Sequence, residues 1–154
     1  MGRKPRENVA GGIYHVFARG NNRASVFSDD RDRRAYLGIL SDVTAEFGWV
    51  RLGYCLMSNH VHLLIETPEP NLSQGMQQLQ SRYTKRFNWR HERSGHVFQG
   101  RYGCERVTSD AQLIAVTTYV AENPVEAGLC DRPESWAWTD CGEARRRVRK
   151  VLGA

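Results

Sequence analysis

Two histidines, His60 and His62, flank a single valine in the segment CLMSNHVHLLIE, residues 55–66. Side chains alternate between the two faces of a strand, so both imidazoles would project from one face while Val61 points to the other. Imidazoles buried among aliphatic side chains need polar partners, because burial without them costs free energy. Two neutral imidazoles so placed can bind a metal ion. Two hydrogen-bonded structural histidines are the alternative that the pattern leaves open.

A tyrosine and an asparagine, Tyr119 and Asn123, are four residues apart in a segment with helical spacing. They therefore lie on one face of the helix, one turn apart. The positions predicted to face the core are Leu113, Val116 and Val120, which leaves Tyr119 and Asn123 on a flank. From the residues alone, an ordinary half-buried aromatic and a polar residue near the helix end remain possible.

The rest of the chain is predicted to form strands and helices that would position these four side chains. Alternating β-formers predict strands at 13–20, 49–57 and 60–66, and a last strand lies within 95–107. A loop, GNNR, follows the first strand at 20–23, with Gly and Asn suited to positive φ. Apolar residues at helical spacing predict a helix from Asp30 to Phe47, and an amphipathic helix that carries Leu72 through Phe87.

The third helix is predicted to begin after Ser109, with Gln112 three residues on as the partner of a capping box. It is predicted to end at Asn123, since Pro124 disfavours α geometry in the residue before it. The order β-α-β-β-α-β predicts an α+β, ferredoxin-like antiparallel sheet with two helices on one face. The helix that carries Tyr119 is then a C-terminal addition.

One domain is expected over residues 1–154, with a basic N-terminal arm at 1–11. A basic C-terminal tail at 143–154 is interpreted as a solvated end. The net charge of +5 and the pI near 9.3 favour a polyanionic partner such as nucleic acid. A basic protein that binds no specific anion is the alternative.

The four cysteines are scattered and form no C-x-x-C pair, so neither a zinc ribbon nor a disulfide framework is indicated. No signal-peptide core and no apolar run of roughly 18 residues is visible, so a membrane span is not expected. We expect the protein in the cytoplasm, associated with the nucleoid when it acts.

Three segments together, MSNHVHLLIE, GHVFQGRY and YVAENPVEAG, resemble the HUH single-tyrosine transposases. The leading YHVFARGNNRASVF narrows the similarity to the REP-associated tyrosine transposases. The similarity runs from about Pro5 to Trp138, and it implies the same ferredoxin-like core. At one position the chain departs from the pattern, because Glu126 stands where relatives often have arginine.

The resemblance implies a role for each matching residue. His60 and His62 match the metal-binding histidines, Asn123 matches the position of a third ligand, and Tyr119 matches the nucleophile that becomes joined to a DNA 5′ end. DNA contacts are expected from the GNNR loop and from nearby polar and basic side chains: Arg19, Gly20, Asn21, Asn22, Arg23, Lys85, Arg86 and Arg101. The implied partner is single-stranded or hairpin DNA, and the protein would act as a monomer or a homodimer.

The implied chemistry suits these residue types. A free phenol with a pKa near 10 is ionised in roughly one molecule in a thousand at neutral pH, so the attack needs help. Imidazole ligands alone favour zinc, copper or nickel. The resemblance and the Asn123 oxygen favour Mg²⁺ or Mn²⁺ instead.

The expected function is therefore metal-dependent nicking and joining of hairpin DNA through a 5′-phosphotyrosine. Two alternatives remain: a hairpin-binding protein of DNA or RNA that does not cleave, and a metal-dependent hydrolase that uses water.

Overall fold

A five-stranded antiparallel sheet in the order β4-β1-β3-β2-β5 forms the centre of the computed structural model, which describes residues 8–153. Four α-helices pack on its two faces. The elements are β1 (Gly12–Arg19), α1 (Asp30–Phe47), β2 (Val50–Leu56), β3 (His60–Thr67), α2 (Leu72–Arg90), β4 (Gly103–Val107), α3 (Asp110–Glu126), β5 (Thr139–Asp140) and α4 (Gly142–Val151). Two short 3-10 turns, Asn21–Arg23 and Pro133–Ser135, lie between them.

The first four strands have the order of the ferredoxin-like sheet, and β5 adds a short fifth strand beside β2. The predicted α+β fold is thereby confirmed, and the predicted strands and the helix from Asp30 to Phe47 occur close to the expected bounds. Residues 1–7 of the predicted N-terminal arm lie outside the described residues. Within residues 8–153, no helix is both long and apolar enough to cross a membrane.

The two helices α1 and α2 cover one face of the sheet. Val16, Leu63 and Ile65 point to this face and are buried in one cluster with the helical residues Leu40 and Met76. Asp29 caps the start of helix α1, since its carboxylate accepts a hydrogen bond from the Asp32 N–H at 3.1 Å. Gly48, in the left-handed conformation, caps the end of the helix. This is the larger part of the core.

The helices α3 and α4 cover only half of the opposite face. Helix α3 packs on β2 and β3, and α4 packs on β2 and α3. The buried contacts there join Leu52 and Leu64 of the sheet to Val120 and Ala121 of α3. On this face the strands β1 and β4 therefore lie beside α3 rather than under a helix.

The C-terminal segment is not the solvated end that the sequence suggested. It forms α4, in which Ala144 is fully buried, while Arg147 pairs with Glu66 of β3 at 3.0 Å and with Glu143 at 3.2 Å. The basic segment is therefore amphipathic, because one small buried residue, Ala144, and one paired arginine, Arg147, are enough to hold this short helix in place.

The predicted end of α3 at Asn123 is also wrong. The helix continues through Pro124 to Glu126, and Pro124 is buried. Proline removes only its own backbone donor, whereas the Ala127 N–H still donates to the Asn123 carbonyl at 3.1 Å. At the other end, Gln112 N–H donates to Ser109 Oγ as predicted, but the Gln112 side chain accepts from the Thr108 N–H rather than from Ser109.

A buried carboxylate joins the start of α1 to the end of α2. Asp32 accepts hydrogen bonds from the Ser28 N–H at 2.8 Å, from Arg90 at 2.7 Å and from His91 at 2.9 Å. Burial would raise the pKa of Asp32, but these hydrogen bonds outweigh it and lower the pKa. The contacts hold the two helices in register over the sheet.

Replacing Asp32 with alanine should lower the free energy of unfolding by about 1–3 kcal/mol, because the Ser28 N–H and His91 lose their buried acceptor, whereas Arg90 keeps its ion pair with Asp29. Urea denaturation measures this loss. Because the pKa of Asp32 is lowered in the fold, its contribution is present above the usual aspartate range and is lost as pH falls below about 4. The matched control is Asp42→Ala on the same helix, whose exposed pair with Arg82 at 3.4 Å should contribute less than about 1 kcal/mol. Equal losses in the two variants would contradict the assignment.

Candidate active site

The histidine pair lies on β3, on the face of the sheet that α3 partly covers. His62 pairs with Phe17 of β1 on one side and with Cys55 of β2 on the other, so it is in the middle of the sheet. The rings of His60 and His62 are 5.1 Å apart between centroids and nearly perpendicular. Val61 is buried on the opposite face, as the alternation predicted.

Helix α3 brings Tyr119 and Asn123 to this pair. The Asn123 Oδ1 atom is 3.1 Å from His60 Nε2, and the Tyr119 ring meets the His62 ring edge-on at 5.5 Å between centroids. Nearly half of the Tyr119 surface, 48%, is exposed, although the neighbouring Val120 is fully buried. Within residues 8–153 the Tyr119 hydroxyl makes no hydrogen bond, so it is free to meet a substrate. The structure thus assembles the four side chains that the sequence singled out.

A third histidine, His15 of β1, belongs to the same cluster and was not assigned to the site from the sequence. Its Nε2 atom is 2.9 Å from His62 Nδ1, and both side chains are buried. His15 is packed and hydrogen-bonded within the sheet, and its partner is a site residue. The only sequence signal was its place on a β1 face shared with Phe17 and Arg19, which points to the site only once the β1–β3 register is known.

Burial keeps the two inner histidines neutral. Burial, together with the neighbouring His15 and His60, lowers the pKa of His62 to about 3. Burial likewise lowers the pKa of His15, although the Glu105 carboxylate opposes this shift. A neutral imidazole keeps a lone pair, which is the form that binds a metal ion.

The contacts of His60 fit a cation. Its Nδ1 atom faces the Asn59 side-chain oxygen at 2.8 Å, and its Nε2 atom faces the Asn123 oxygen at 3.1 Å. A neutral ring has one N–H and can donate to one of these oxygens only. The other contact brings two lone pairs together, unless the amide turns its NH₂ group to the ring, the ring carries a second N–H, or a cation is shared between them.

The contacts of His62 fit the same role. Its Nδ1 atom is engaged by His15, which leaves Nε2 for another partner and fixes the orientation of the ring. Within the described part of the chain, no three His, Cys, Asp or Glu side chains are grouped to hold a metal ion. A metal ion here would be held by two imidazoles and the Asn123 amide oxygen, a set in which the only ligand beyond the histidines is weak.

An open cleft of about 530 Å³ runs past these residues. Its walls include His60, His62 and Tyr119 together with two of the predicted DNA-binding side chains, Arg19 and Arg101. Arg19 donates to the Gln99 side chain at 2.9 Å, which holds its guanidinium at the rim of the cleft. The site therefore combines a phenol, imidazoles and two cations.

The GNNR loop adjoins the cleft, and its backbone is tied to the residues just before β3. The Gly20 N–H donates to the Asn59 carbonyl at 2.8 Å, and the Asn59 amide contacts the Arg23 carbonyl at 3.5 Å. Asn22 has φ of 55°, as expected for a loop asparagine, but Gly20 does not have positive φ. Gly20 is required for another reason: a Cβ atom there would lie 2.0 Å from the Ala24 carbonyl oxygen.

The other two predicted DNA contacts lie elsewhere. Lys85 and Arg86 are exposed on α2, which packs on the opposite face of the sheet, and neither lines the cleft. Helix α2 does reach the same edge of the molecule, because Gln77 and Gln80 line a cleft of about 390 Å³ that also includes Arg101.

A ferredoxin-like sheet that carries His-x-His beside a helical tyrosine is the arrangement expected of a single-tyrosine transposase. The chain belongs to the family of IS200-like transposases, whose family model matches residues 8–123, more than half of the chain. No curated protein matches the chain.

Two solved structures show the same fold. A REP-associated tyrosine transposase bound to a REP hairpin superimposes with a TM-score of 0.76 at 16% identity, over 99% of this chain and 88% of that chain. A putative transposase from Deinococcus radiodurans R1 superimposes with a TM-score of 0.54 at 21% identity, over 79% of this chain and 96% of that chain.

Replacing Gly20 with alanine should destabilise the protein by about 1–3 kcal/mol, because the new methyl group must displace the Ala24 carbonyl and with it the loop. Thermal or urea unfolding gives the measurement. Gly38→Ala is the matched control: Gly38 is exposed within α1, has no neighbour within 4 Å of a Cβ, and should gain about 0.5–1 kcal/mol. A Gly20→Ala variant with the stability of the wild type would contradict this expectation, because it would show that the loop can move without cost.

Proposed function

We propose that this transposase nicks and rejoins single-stranded DNA that carries a hairpin, a REP-type palindrome, with Tyr119 as the nucleophile. The observation that carries the proposal is the exposed Tyr119 ring against His62, with Asn123 one helical turn away on His60. A binding protein that does not cleave has no need of this set.

The reaction follows from a phenol placed beside a phosphate. The Tyr119 oxygen attacks the phosphorus, its proton passes to solvent, and a bond forms between the tyrosine and the 5′ phosphate. The bond from phosphorus to the 3′ oxygen breaks, and that oxygen leaves as a 3′ hydroxyl. The energy of the phosphodiester is kept in the protein–DNA link, so a 3′ hydroxyl can later reverse the step without ATP.

The residues that would hold a divalent ion, which we propose to be Mg²⁺ or Mn²⁺, are His60, His62 and Asn123. When bound, such an ion would supply Lewis-acid stabilisation of the charge that develops on the scissile phosphate. The protein's own contribution is to orient both rings, through His15 on His62 and Asn59 on His60, while burial keeps His62 neutral.

The basic groups around the cleft would bind the DNA backbone. Arg19 and Arg101 line the cleft itself, and the Gly20–Arg23 loop lies next to it. Lys85 and Arg86 would contact a part of the hairpin outside the cleft, since α2 reaches the cleft edge through Gln77 and Gln80. The protein of the same fold that was solved with a REP hairpin supports this choice of partner.

Tyr119→Phe should abolish the covalent protein–DNA adduct and leave hairpin binding within about twofold of wild type, because only the attacking oxygen is removed. End-labelled hairpin oligonucleotides are incubated with protein and Mn²⁺, Mg²⁺ or EDTA and separated on a denaturing gel. The adduct should require metal.

The matched control is Tyr54→Phe. Tyr54 is buried in the core on the α1–α2 side and lines none of the clefts, so this variant should form adduct normally. Cleavage by Tyr119→Phe would refute the nucleophile assignment and favour a hydrolase that uses water. Tight binding without cleavage, across a panel of hairpins, would favour a protein that only binds.

His15→Ala should raise the Mn²⁺ concentration needed for half-maximal adduct formation by about 10- to 100-fold, since His62 loses the group that orients it. The maximal rate at saturating Mn²⁺ should change much less. His60→Ala should lose metal-dependent activity altogether. Titration of Mn²⁺ binding by electron paramagnetic resonance gives a readout independent of cleavage, and unchanged affinity in His15→Ala would contradict the proposed role of His15.

A further inference from the structure

A second cleft, of about 450 Å³, opens on the other side of Tyr119 from Arg101. It shares Phe17, His62 and Tyr119 with the first cleft, so the two meet at the tyrosine. Its remaining wall is mostly apolar, formed by Val107 of β4 and by Ala115 and Val116 of α3. Its volume lies within the range of pockets that hold small ring systems.

The cleft exists because α3 packs on β2 and β3 and leaves β1 and β4 uncovered on this face. The floor includes Phe17, whose ring lies so close to Gly103 that a Cβ there would be 2.1 Å from it. Because Gly103 has no side chain, the Phe17 ring can pack against β4. Of the Phe17 surface, 36% is exposed. A flat aromatic surface beside an exposed nucleophile is a place for a ligand to stack.

The charges of the two clefts differ. The first contains Arg19 and Arg101, whereas the second contains the Glu105 carboxylate and no cation. Within residues 8–153 the Glu105 carboxylate has no hydrogen bond or ion pair, whereas the Gln112 side chain is occupied by Thr108 and by the Arg106 carbonyl. A phosphate backbone is attracted to the first cleft and repelled from the second.

We propose that the second cleft binds the base of a nucleotide next to the scissile phosphate. This inference rests on the proposed function, because it takes the phosphate to lie at Tyr119. The backbone then lies in the basic cleft, and a neighbouring base turns into the apolar one to stack on Phe17 and pack against Val116. Stacking on an aromatic side chain contributes binding for any base.

Glu105 makes the cleft selective among bases. A carboxylate only accepts hydrogen bonds, so it pairs with the amino group of cytosine, adenine or guanine. Thymine has no amino group, and the two carbonyl oxygens that flank its N3–H are repelled by the carboxylate. The cleft therefore favours an amino-bearing base over thymine at one position beside the cleavage site.

The test uses the full-length protein and a hairpin oligonucleotide with a single-stranded arm, measured by fluorescence anisotropy in EDTA so that no cleavage occurs. A series of arms each contains one abasic position. With the wild type, one position should weaken binding about fivefold or more. Ala115→Phe, which fills the cleft from an exposed position, should weaken binding of the intact arm to a similar degree and remove the penalty at that position.

Two further variants sharpen the test. Ala111→Phe is the matched control, since Ala111 is exposed one turn earlier on α3 and does not line the cleft; it should behave as the wild type. Glu105→Gln should bind thymine and amino-bearing bases at the sensitive position within about twofold of each other.

The inference is overturned if no abasic position matters, or if the penalty persists in Ala115→Phe. The adduct assay separates this outcome from failure of the proposed function. A Tyr119-dependent adduct with no sensitive position leaves the function standing and removes the base pocket. A sensitive position without any adduct supports the pocket and removes the nicking chemistry, and absence of binding to every oligonucleotide would remove both.

Discussion

The packing of α3 on β2 and β3 is the contact on which the rest of the site depends. Val120 and Ala121 are buried in one cluster with Leu64, and this positions the helix so that Tyr119 and Asn123 lie next to the histidines. Burial of a few aliphatic side chains contributes about 1.5–3 kcal/mol each. That is enough to hold α3 in place over the half of the face that it covers.

The half of the sheet face that α3 and α4 leave open carries polar and charged groups, unlike the apolar core on the other face of the sheet. On the α1–α2 side the sheet is covered by large apolar side chains, whereas the clefts on the open side are lined by a phenol, an aromatic ring, two cations and a carboxylate. The buried histidines lie between these regions. Their burial costs free energy, and the hydrogen bond between His15 and His62 offsets part of it while it orients the pair. In the function that we propose, one contact would therefore serve both stability and the orientation of a metal ligand.

Much of the fold and of the site follows from local pattern. The strand alternation placed His60 and His62 on one face, and the helical spacing placed Tyr119 and Asn123 on one turn, as the structure confirms. Other features could not be predicted from the sequence, because they depend on packing. The passage of α3 through Pro124 is stabilised by burial of the ring, and the seating of α4 depends on Glu66, a distant residue in sequence. In both cases tertiary contacts outweighed the local conformational preference of the chain.

The sequence by itself determined which residue types are available for the chemistry and which elements carry them, because side-chain alternation and helical periodicity are local properties of the chain. Only the tertiary structure decided that His15 contacts His62, that Gly20 is needed for close approach rather than for positive φ, and that Arg19 and Arg101 line the same cleft as Tyr119 while Lys85 does not. These relations depend on strand register and on which half of the sheet a helix covers. Both are set by contacts between residues far apart in the chain, for which the sequence pattern holds no local signal.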